Sequence, residues 1–326
     1  MRRGYFVGFD TSCYTTSTAV SNEQGKIVFD ERISLQVPKG SKGLKQSDCV
    51  LQHVENLPKL ILKLKEFIDW RKVVGIAASV KPRPLEDSHM PVFLVSKGMG
   101  TSLASVMQVP FLPLSHQEGH LMAGIYSSGF VPKSDFLAVH FSGGTSELLK
   151  VKCCKTGGFQ IEILGQSEDL YAGQFIDRVG VNMGMSFPSG PELEKLAMLC
   201  SKDSKLRIPS SVKGYSFSFS GPESFAQRLI NKGEHFPSIA RAVEICIAKT
   251  IEKIVRRAVE NYEIKDVLFI GGVMANQFIR SFLKKRLEHK AVGAKLHFCE
   301  PCYSTDNAVG IALLAVRILA GSNYKS

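Results

Sequence analysis

A pattern of three strands joined by short turns occurs twice in this chain and limits the possible folds more than any other feature. The stretch YFVGFDTSCYTTSTAVSNEQGKIVFDERI (residues 5–33) contains an apolar strand, a turn of small residues, a second strand, a glycine turn and a third strand. The stretch FLAVHFSGGTSELLKVKCCKTGGFQIEIL (residues 136–164) repeats that order. Helical stretches follow each unit. This repeat predicts two similar α/β lobes built by duplication.

The segments around these units have mostly helical periodicity. SDCVLQHVENLPKLILKLKEFIDW predicts a helix interrupted at Pro58, and FPSIARAVEICIAKTIEKIVRRAVENY predicts a long one. At 326 residues the chain is long enough for two domains with cores of their own. We predict an N-terminal lobe over residues 1–115 and a C-terminal lobe over residues 116–304. A C-terminal helix over residues 305–326 is expected to pack back on the first lobe.

Composition excludes several classes of protein. No stretch approaches the roughly 18 uninterrupted apolar residues of a membrane span, and the apolar run in MRRGYFVGFD is too short for a signal peptide. The sequence therefore predicts a cytoplasmic protein without a membrane partner. Of the eight cysteines, only Cys299 and Cys302 form a C-x-x-C pair. Without a second such pair, reduced thiols are favoured over a structural zinc site.

The net charge of +11 is spread along the chain rather than confined to a tail. Basic residues come in short groups, and two interpretations stay open: solvated helix faces, or a surface for a polyanion such as RNA. No aromatic RNA-binding motif accompanies them. These groups are Lys39, Lys42 and Lys45; Lys59, Lys63 and Lys65; and Lys284, Lys285 and Arg286.

Two histidines in SHQEGHLMAGIY (residues 115–126) stand four residues apart. On a helix, His116 and His120 lie one above the other, where two imidazoles can share one divalent cation or simply pack. Glu118 is turned about 200° from His116 and so points away. A zincin requires glutamate directly after the first histidine, and that position holds Gln117. A metal site here needs a third ligand from elsewhere, and it is not of the peptidase kind.

Turns of glycine and hydroxyl residues follow three strands: DTSCYTT, FSGGTS and the start of GGVMAN. Backbone N–H groups in such turns bind anions, and the missing side chains let phosphate approach. Each turn alone is weak evidence, because hairpins need these residues for their geometry. Three turns in a duplicated α/β framework favour nucleotide binding, with a polyphosphate held between two lobes as in actin-like ATPases.

With these features in place, the chain resembles the tRNA threonylcarbamoyladenosine transferase family, also called the O-sialoglycoprotein endopeptidase or glycoprotease-like family. The resemblance runs in order over nearly the whole chain. Its motifs are GFDTSCYTTS, HQEGH, FSGGT, AGQFIDRVG, FPSGPELEKLA, YSFSFSG, FIGGVMAN and CYSTDNAVGIA. It implies an actin-like ATPase (sugar kinase/Hsp70/actin) fold, with two duplicated RNase H-like lobes around a central cleft.

The resemblance also implies ligands. The family's metal ligands fall on His116, His120 and Asp306, a set that suits Fe2+ or Zn2+. ATP or threonylcarbamoyl-AMP is the implied nucleotide, tRNA the implied acceptor, and partner subunits are possible. No catalytic residue is assigned. The family's nucleotide-contacting positions fall on Ser142, Gly143, Gly144, Asp177, Gly190 and Asn276.

Several positions depart from the family pattern. An acidic pair in the first loop is replaced by Tyr14 and Thr15, a histidine after SGG by Thr145, and a lysine after FSG by Glu223 within FSGPES. VKPRPLEDSHMPVF (residues 80–93) stands where the family has a glycine-rich stretch. These changes indicate a divergent bacterial paralogue that keeps the binding residues but has altered residues where the reaction is expected to take place.

Two functions follow. The first is metal-dependent transfer of the threonylcarbamoyl group from threonylcarbamoyl-AMP to N6 of adenosine in tRNA, which the basic surface favours. The second is a non-catalytic or redirected paralogue that binds metal and nucleotide as a partner or regulatory protein, which Tyr14, Thr15 and Glu223 favour. The first is preferred here.

Overall fold

The computed structural model describes residues 4–12, 14–38 and 44–321. Lys39, Lys42 and the last five residues of the predicted C-terminal helix lie outside this range. The chain forms two compact units. The first runs to Val131 and includes Cys153–Gln160 and the chain from Thr305, and the second comprises Pro132–Lys152 and Ile161–Ser304. Among the described residues, no helix is both long enough and apolar enough to cross a membrane.

The first unit is built on a five-stranded sheet in the order β3-β2-β1-β4-β5. Strands β1, β2 and β3 are antiparallel neighbours, whereas β4 and β5 run parallel to β1. Val7, Val20 and Ile76 from the sheet pack with Leu57 and Leu64 from α1 in a buried core. The elements are β1 (Tyr5–Asp10), β2 (Thr15–Asn22), β3 (Ile27–Ser34), α1 (Gln46–Leu64), a 3-10 turn (Trp70–Lys72), β4 (Val73–Lys81), α2 (Phe93–Met107), β5 (Phe111–Ser115) and α3 (His116–Ser128).

The second unit has a five-stranded sheet in the order β12-β11-β6-β7-β8 and a small hairpin of β9 and β10. The long helix α7 contributes more residues to its apolar core than any other element, including Val243, Ile247 and Ile251, which are fully buried. The elements are β6 (Phe136–Phe141), β7 (Ser146–Cys153), β8 (Phe159–Gln166), α4 (Ala172–Asn182), α5 (Gly190–Met198), β9 (Ser211–Lys213), β10 (Ser216–Ser218), α6 (Ser220–Asn231), α7 (Phe236–Tyr262), β11 (Asp266–Ile270), a 3-10 turn (Gly272–Ala275), α8 (Gln277–Leu287), β12 (Lys295–Phe298) and α9 (Pro301–Ser304).

The two large sheets have the same topology. In each, three antiparallel strands that are consecutive in sequence are extended by two parallel strands on the side of the first strand. The two repeated sequence stretches form β1–β3 and β6–β8. The repeat pattern therefore predicted the architecture of both sheets.

The last helix, α10 (Val309–Leu319), belongs to the first unit together with α3. A Cβ atom on Gly310 would lie 1.8 Å from the carbonyl oxygen of Gly119, so the two helix backbones touch where they cross. Since this contact joins α3 to the first unit, the boundary lies after Val131. The predicted boundary at residue 115 assigned α3 to the second lobe and so differs from this division into compact units.

Candidate metal centre and phosphate loop

Local sequence fixes the start of the helix that carries the two histidines. Ser115 is the N-cap of α3, and its hydroxyl accepts a hydrogen bond from the Glu118 backbone N–H at 3.3 Å. Glu118 in turn accepts one from the Ser115 backbone N–H at 2.8 Å. This capping box places His116 and His120 in the first turns and uses Glu118 for the cap rather than for a ligand site.

His116, His120 and Asp306 lie together, with one ligand atom from each within 4.8 Å of the others. The two Nε2 atoms are 2.9 Å apart, and Asp306 Oδ1 is 3.4 Å from each of them. Neighbouring ligand atoms around an ion with bonds of about 2.1 Å are about 3.0 Å apart in an octahedron and about 3.4 Å apart in a tetrahedron. The spacing of the three side chains therefore fits one first-row divalent ion.

The electrostatics of this cluster also suit a cation. Burial alone would raise the pKa of Asp306, but hydrogen bonds and charges from His116 and His120 hold it well below its usual value. Burial opposes protonation of His116, yet the neighbouring carboxylates of Asp10 and Asp306 raise its pKa to about 10. Burial and the charge of His116 lower the pKa of His120. The buried carboxylate of Asp10 and the half-buried carboxylate of Asp306 thus stabilise positive charge at this point.

Asp10 is a member of the cluster that sequence reasoning missed. It is fully buried at the end of β1, and its Oδ1 lies 3.0 Å from His116 Nδ1. Its position directly before the turn of small residues was the one sequence feature that could have drawn attention to it. The contact itself joins residues 106 positions apart and has no local sequence pattern.

In the second unit, the SGG loop connects β6 to β7 as a tight turn. The Ser142 backbone N–H donates to the Thr145 carbonyl oxygen at 2.7 Å, and the Gly144 N–H donates to Ser142 Oγ at 3.2 Å. The Gly173 N–H, near the start of α4, donates to the Ser142 carbonyl oxygen at 3.0 Å. The loop is therefore held against the N-terminal end of a helix, where anions are stabilised.

Gly143 and Gly144 have open space where a side chain would be. A Cβ atom at either position would meet no atom within 4 Å, and neither has a backbone conformation that requires glycine. Gly173 is different, because its Cβ would lie 2.6 Å from the Gly143 nitrogen. The fold therefore needs glycine at 173, a position that sequence reasoning missed, whereas the free space at 143 and 144 is available to a ligand.

The other predicted nucleotide residues also lie in the second unit. Asp177, which is half-buried, accepts a hydrogen bond from the Ser189 backbone N–H at 2.8 Å, and burial raises its pKa. Ser189 directly precedes Gly190, the first residue of α5, so Asp177 and Gly190 are brought close together.

Asn276 links α7 to the start of α8 through its side-chain amide. It is buried, its Nδ2 donates to Glu244 Oε1 at 2.7 Å, and its Oδ1 caps α8 by accepting from the Ile279 N–H at 2.9 Å.

The departures from the family pattern have clear locations. Tyr14 is 36% exposed, and Thr15 begins β2 opposite Ser34. Glu223 lies in the first turn of α6 and accepts a hydrogen bond from Gln227 Nε2 at 2.7 Å.

The lysines of the basic groups that the structure describes are exposed: Lys45, those at 59–65 and those at 284–286. Cys299 is buried and Cys302 is exposed.

Comparison with known proteins gives the same family from a family model and from individual relatives. The family model for tRNA N6-adenosine threonylcarbamoyltransferase matches residues 28–313. A protein of that name from Prochlorococcus marinus (strain NATL2A) is 31% identical over 339 residues, which is 98% of this chain and 92% of the relative. A second, from strain MIT 9312, is 30% identical over 95% of this chain and 89% of the relative.

Solved structures show the fold. T. kodakarensis HypF matches with a TM-score of 0.63 and 15% identity over 98% of this chain and 48% of that chain. A ROK family glucokinase from Streptomyces griseus, in complex with glucose and AMPPNP, matches with a TM-score of 0.52 and 12% identity over 95% and 98% of the two chains. The predicted actin-like ATPase and sugar kinase fold is confirmed.

Proposed function

This chain belongs to the tRNA N6-adenosine threonylcarbamoyltransferase family, and from that premise we propose that it transfers a threonylcarbamoyl group from threonylcarbamoyl-AMP to N6 of adenosine in tRNA. In this reaction the N6 amine attacks the carbamoyl carbonyl carbon and forms a C–N bond. The C–O bond to the adenylate breaks, AMP leaves with the electron pair, and the amine loses a proton. The observation that carries the proposal is the cluster of His116, His120 and Asp306.

The proposed metal is one Fe2+ or Zn2+ ion, held by the Nε2 atoms of the two histidines and by the Asp306 carboxylate. When bound, it supplies Lewis-acid polarisation of a phosphate or carbonyl oxygen. The protein's own contribution is to hold three ligand atoms at suitable distances in a partly buried site. Two histidines and one carboxylate leave coordination positions open for oxygen ligands.

The proposed nucleotide site is in the second unit. The SGG loop of Ser142, Gly143 and Gly144 would contact phosphate through the Gly143 backbone N–H and the Ser142 hydroxyl, and the open space at the two glycines leaves room for it. Asp177, with one oxygen on the Ser189 N–H, would offer its other oxygen to ribose hydroxyls beside Gly190. Asn276 would act indirectly, because its amide already holds Glu244 and the start of α8.

The alternative function is a partner or regulatory protein that binds metal and nucleotide without this transfer, or that uses another acceptor. Tyr14 and Thr15 favour it, because they leave the first loop without the family's two negative charges. Glu223 favours it too, since it places a carboxylate where the family has a lysine. A peptidase is not proposed, because Gln117 occupies the position of a zincin's catalytic base.

A transfer assay separates these functions. Metal-loaded protein, threonylcarbamoyl-AMP and unmodified tRNA are incubated, and nucleosides from the digested tRNA are measured by mass spectrometry. The proposed function predicts modified adenosine that disappears in the His116→Ala/His120→Ala variant, which should also lose its one equivalent of metal. A matched control is His297→Ala, which removes a histidine paired with Asp266 in the second unit. Bound metal and nucleotide without any transfer, with or without added partner subunits, would favour the alternative.

A further inference from the structure

The carboxylate of Asp10 is held in a fixed position by groups from a helix, a strand and a turn. Its Oδ1 accepts hydrogen bonds from His116 Nδ1 at 3.0 Å and from the hydroxyl of Ser79 on β4. Its Oδ2 accepts from Ser12 Oγ at 2.6 Å and from the Ser12 backbone N–H at 3.3 Å. Asp10, Ser12 and Ser79 have at most 1% of their surface exposed. A carboxylate with this many partners has little freedom to rotate.

The serine partners are themselves supported. Ser96 on α2 donates from its hydroxyl to the Ser79 carbonyl oxygen at 2.6 Å. Thr11, the residue after Asp10, donates to the Val92 carbonyl oxygen at 2.8 Å and accepts from the Ser96 N–H at 3.1 Å. A continuous buried polar network therefore joins the end of β1 to β4 and α2. Through Asp10, the network contacts the ring of His116.

An ionised carboxylate only accepts hydrogen bonds, so the contact requires His116 Nδ1 to carry a proton. That proton assignment and ring orientation leave the other ring nitrogen, Nε2, directed at His120 and Asp306, from which it is 2.9 and 3.4 Å away. Metal-binding histidines usually donate their second ring nitrogen in this way, which orients the ring and makes it a stronger ligand.

We propose that Asp10 is the positioning residue of this metal centre: it orients His116 and strengthens Nε2 as a ligand without touching the ion. The inference rests on the proposed metal binding by His116, His120 and Asp306. It adds a requirement on this chain's own residues, namely that metal affinity depends on a carboxylate held by Ser12 and Ser79.

The test measures Co2+ and Zn2+ affinity of the full chain by competition with a chromophoric chelator. Asp10→Asn keeps the side-chain shape but removes the charge, and it should weaken binding about 10- to 100-fold. The absorption bands of bound Co2+ should also shift, a change that lower protein stability alone would not cause. Asp30→Asn is the matched control, because it removes a carboxylate paired with Arg32 in the same unit and should leave affinity unchanged.

The results distinguish failure of the metal centre from failure of the role of Asp10. Wild-type protein that binds no metal would overturn the proposed metal centre and the inference with it. Wild-type binding with unchanged affinity and Co2+ spectrum in Asp10→Asn would overturn the inference alone. If Asp10→Asn does not fold, the Ser12→Ala/Ser79→Ala variant replaces it. That variant frees the carboxylate and should weaken binding several-fold, and unchanged affinity there would equally overturn the inference.

Discussion

At the scale of single residues, Glu244 links stability to pH. It lies on α7 with 1% of its side chain exposed, held by Asn276 and by Arg241. Burial raises its pKa from 4.5 to about 7, although both partners oppose the shift. The folded state therefore keeps this proton to higher pH than the unfolded state does. The stabilisation that comes from protonated Glu244 is complete below pH 4.5. As pH rises towards 7 it is lost, and the free energy of unfolding falls by on the order of 3 kcal/mol.

Glu244→Gln removes the titrating group and should flatten this part of the stability profile. Urea unfolding at several pH values between 4.5 and 8 measures the slope. The variant's stability relative to the wild type should increase as pH rises, whatever constant offset the substitution causes. Glu260→Gln, an exposed position on the same helix, should not change the slope. Parallel wild-type and Glu244→Gln profiles would contradict the assignment.

Residue-level prediction from sequence succeeded where the pattern is local. The four-residue spacing of His116 and His120 pointed to one helix face, and α3 places the two rings together. Asp306 came only from the resemblance, because nothing local connects it to the histidines. Asp10 was missed for the same physical reason: its partner is 106 residues away.

At the scale of elements, two glycines at the loop between β6 and β7 have different roles: Gly144 leaves space for a ligand, whereas Gly173 is needed for packing. Gly144→Val should fold normally, because its Cβ meets no neighbour, but its side chain would occupy the space proposed for phosphate. We expect at least a tenfold loss of ATP affinity with little change in melting temperature. Calorimetry and thermal unfolding measure the two quantities.

Gly173→Ala should behave in the opposite way. Its Cβ would lie 2.6 Å from the Gly143 nitrogen, so loop and helix must move apart and the melting temperature should fall. Gly98→Ala, an open position on α2 in the first unit, is the control and should change ATP affinity little. If Gly144→Val binds ATP like the wild type, the phosphate is not at this loop.

Element prediction failed where tertiary packing decides. The predicted interruption at Pro58 is wrong, because α1 continues from Gln46 to Leu64. Pro58 and Val54 are both on the exposed side of the helix, so the carbonyl group that loses its partner can be hydrated. The unit to which α3 belongs depends on its backbone contact with Gly310, which periodicity does not encode.

At the scale of the whole molecule, the sequence predicted the fold well because the same local pattern occurs in both units. Strand alternation and small-residue turns are short-range properties, and each copy forms the same arrangement of three antiparallel strands. The named departures from the family pattern lie in turns and near the starts of β2 and α6. The proposed transfer activity therefore depends on how much the first loop contributes to the reaction.

The altered first loop should make transfer by this protein alone slow. Tyr14 and Thr15 replace two acidic residues, and loss of well-placed charges near a reacting group lowers rates on the order of a hundredfold or more. Metal and nucleotide binding should be unaffected, since their residues are elsewhere. Tyr14→Asp/Thr15→Glu should then raise the transfer rate, and both positions are exposed or half-buried and so tolerate the change. Tyr14→Asn/Thr15→Gln is the matched control, with the same shapes and no charge.

Transfer to unmodified tRNA under single-turnover conditions compares the three proteins. A gain in the acidic variant and none in the amide variant would assign the deficit to charge at this loop. Fast wild-type turnover would show that the acidic pair is dispensable here and would favour the transferase function without modification. No gain in the acidic variant, with metal and nucleotide still bound, would place the divergence at Glu223 or residues 80–93, or in the choice of acceptor. Glu223→Lys, which restores the family's charge at α6, distinguishes the first of these from the others.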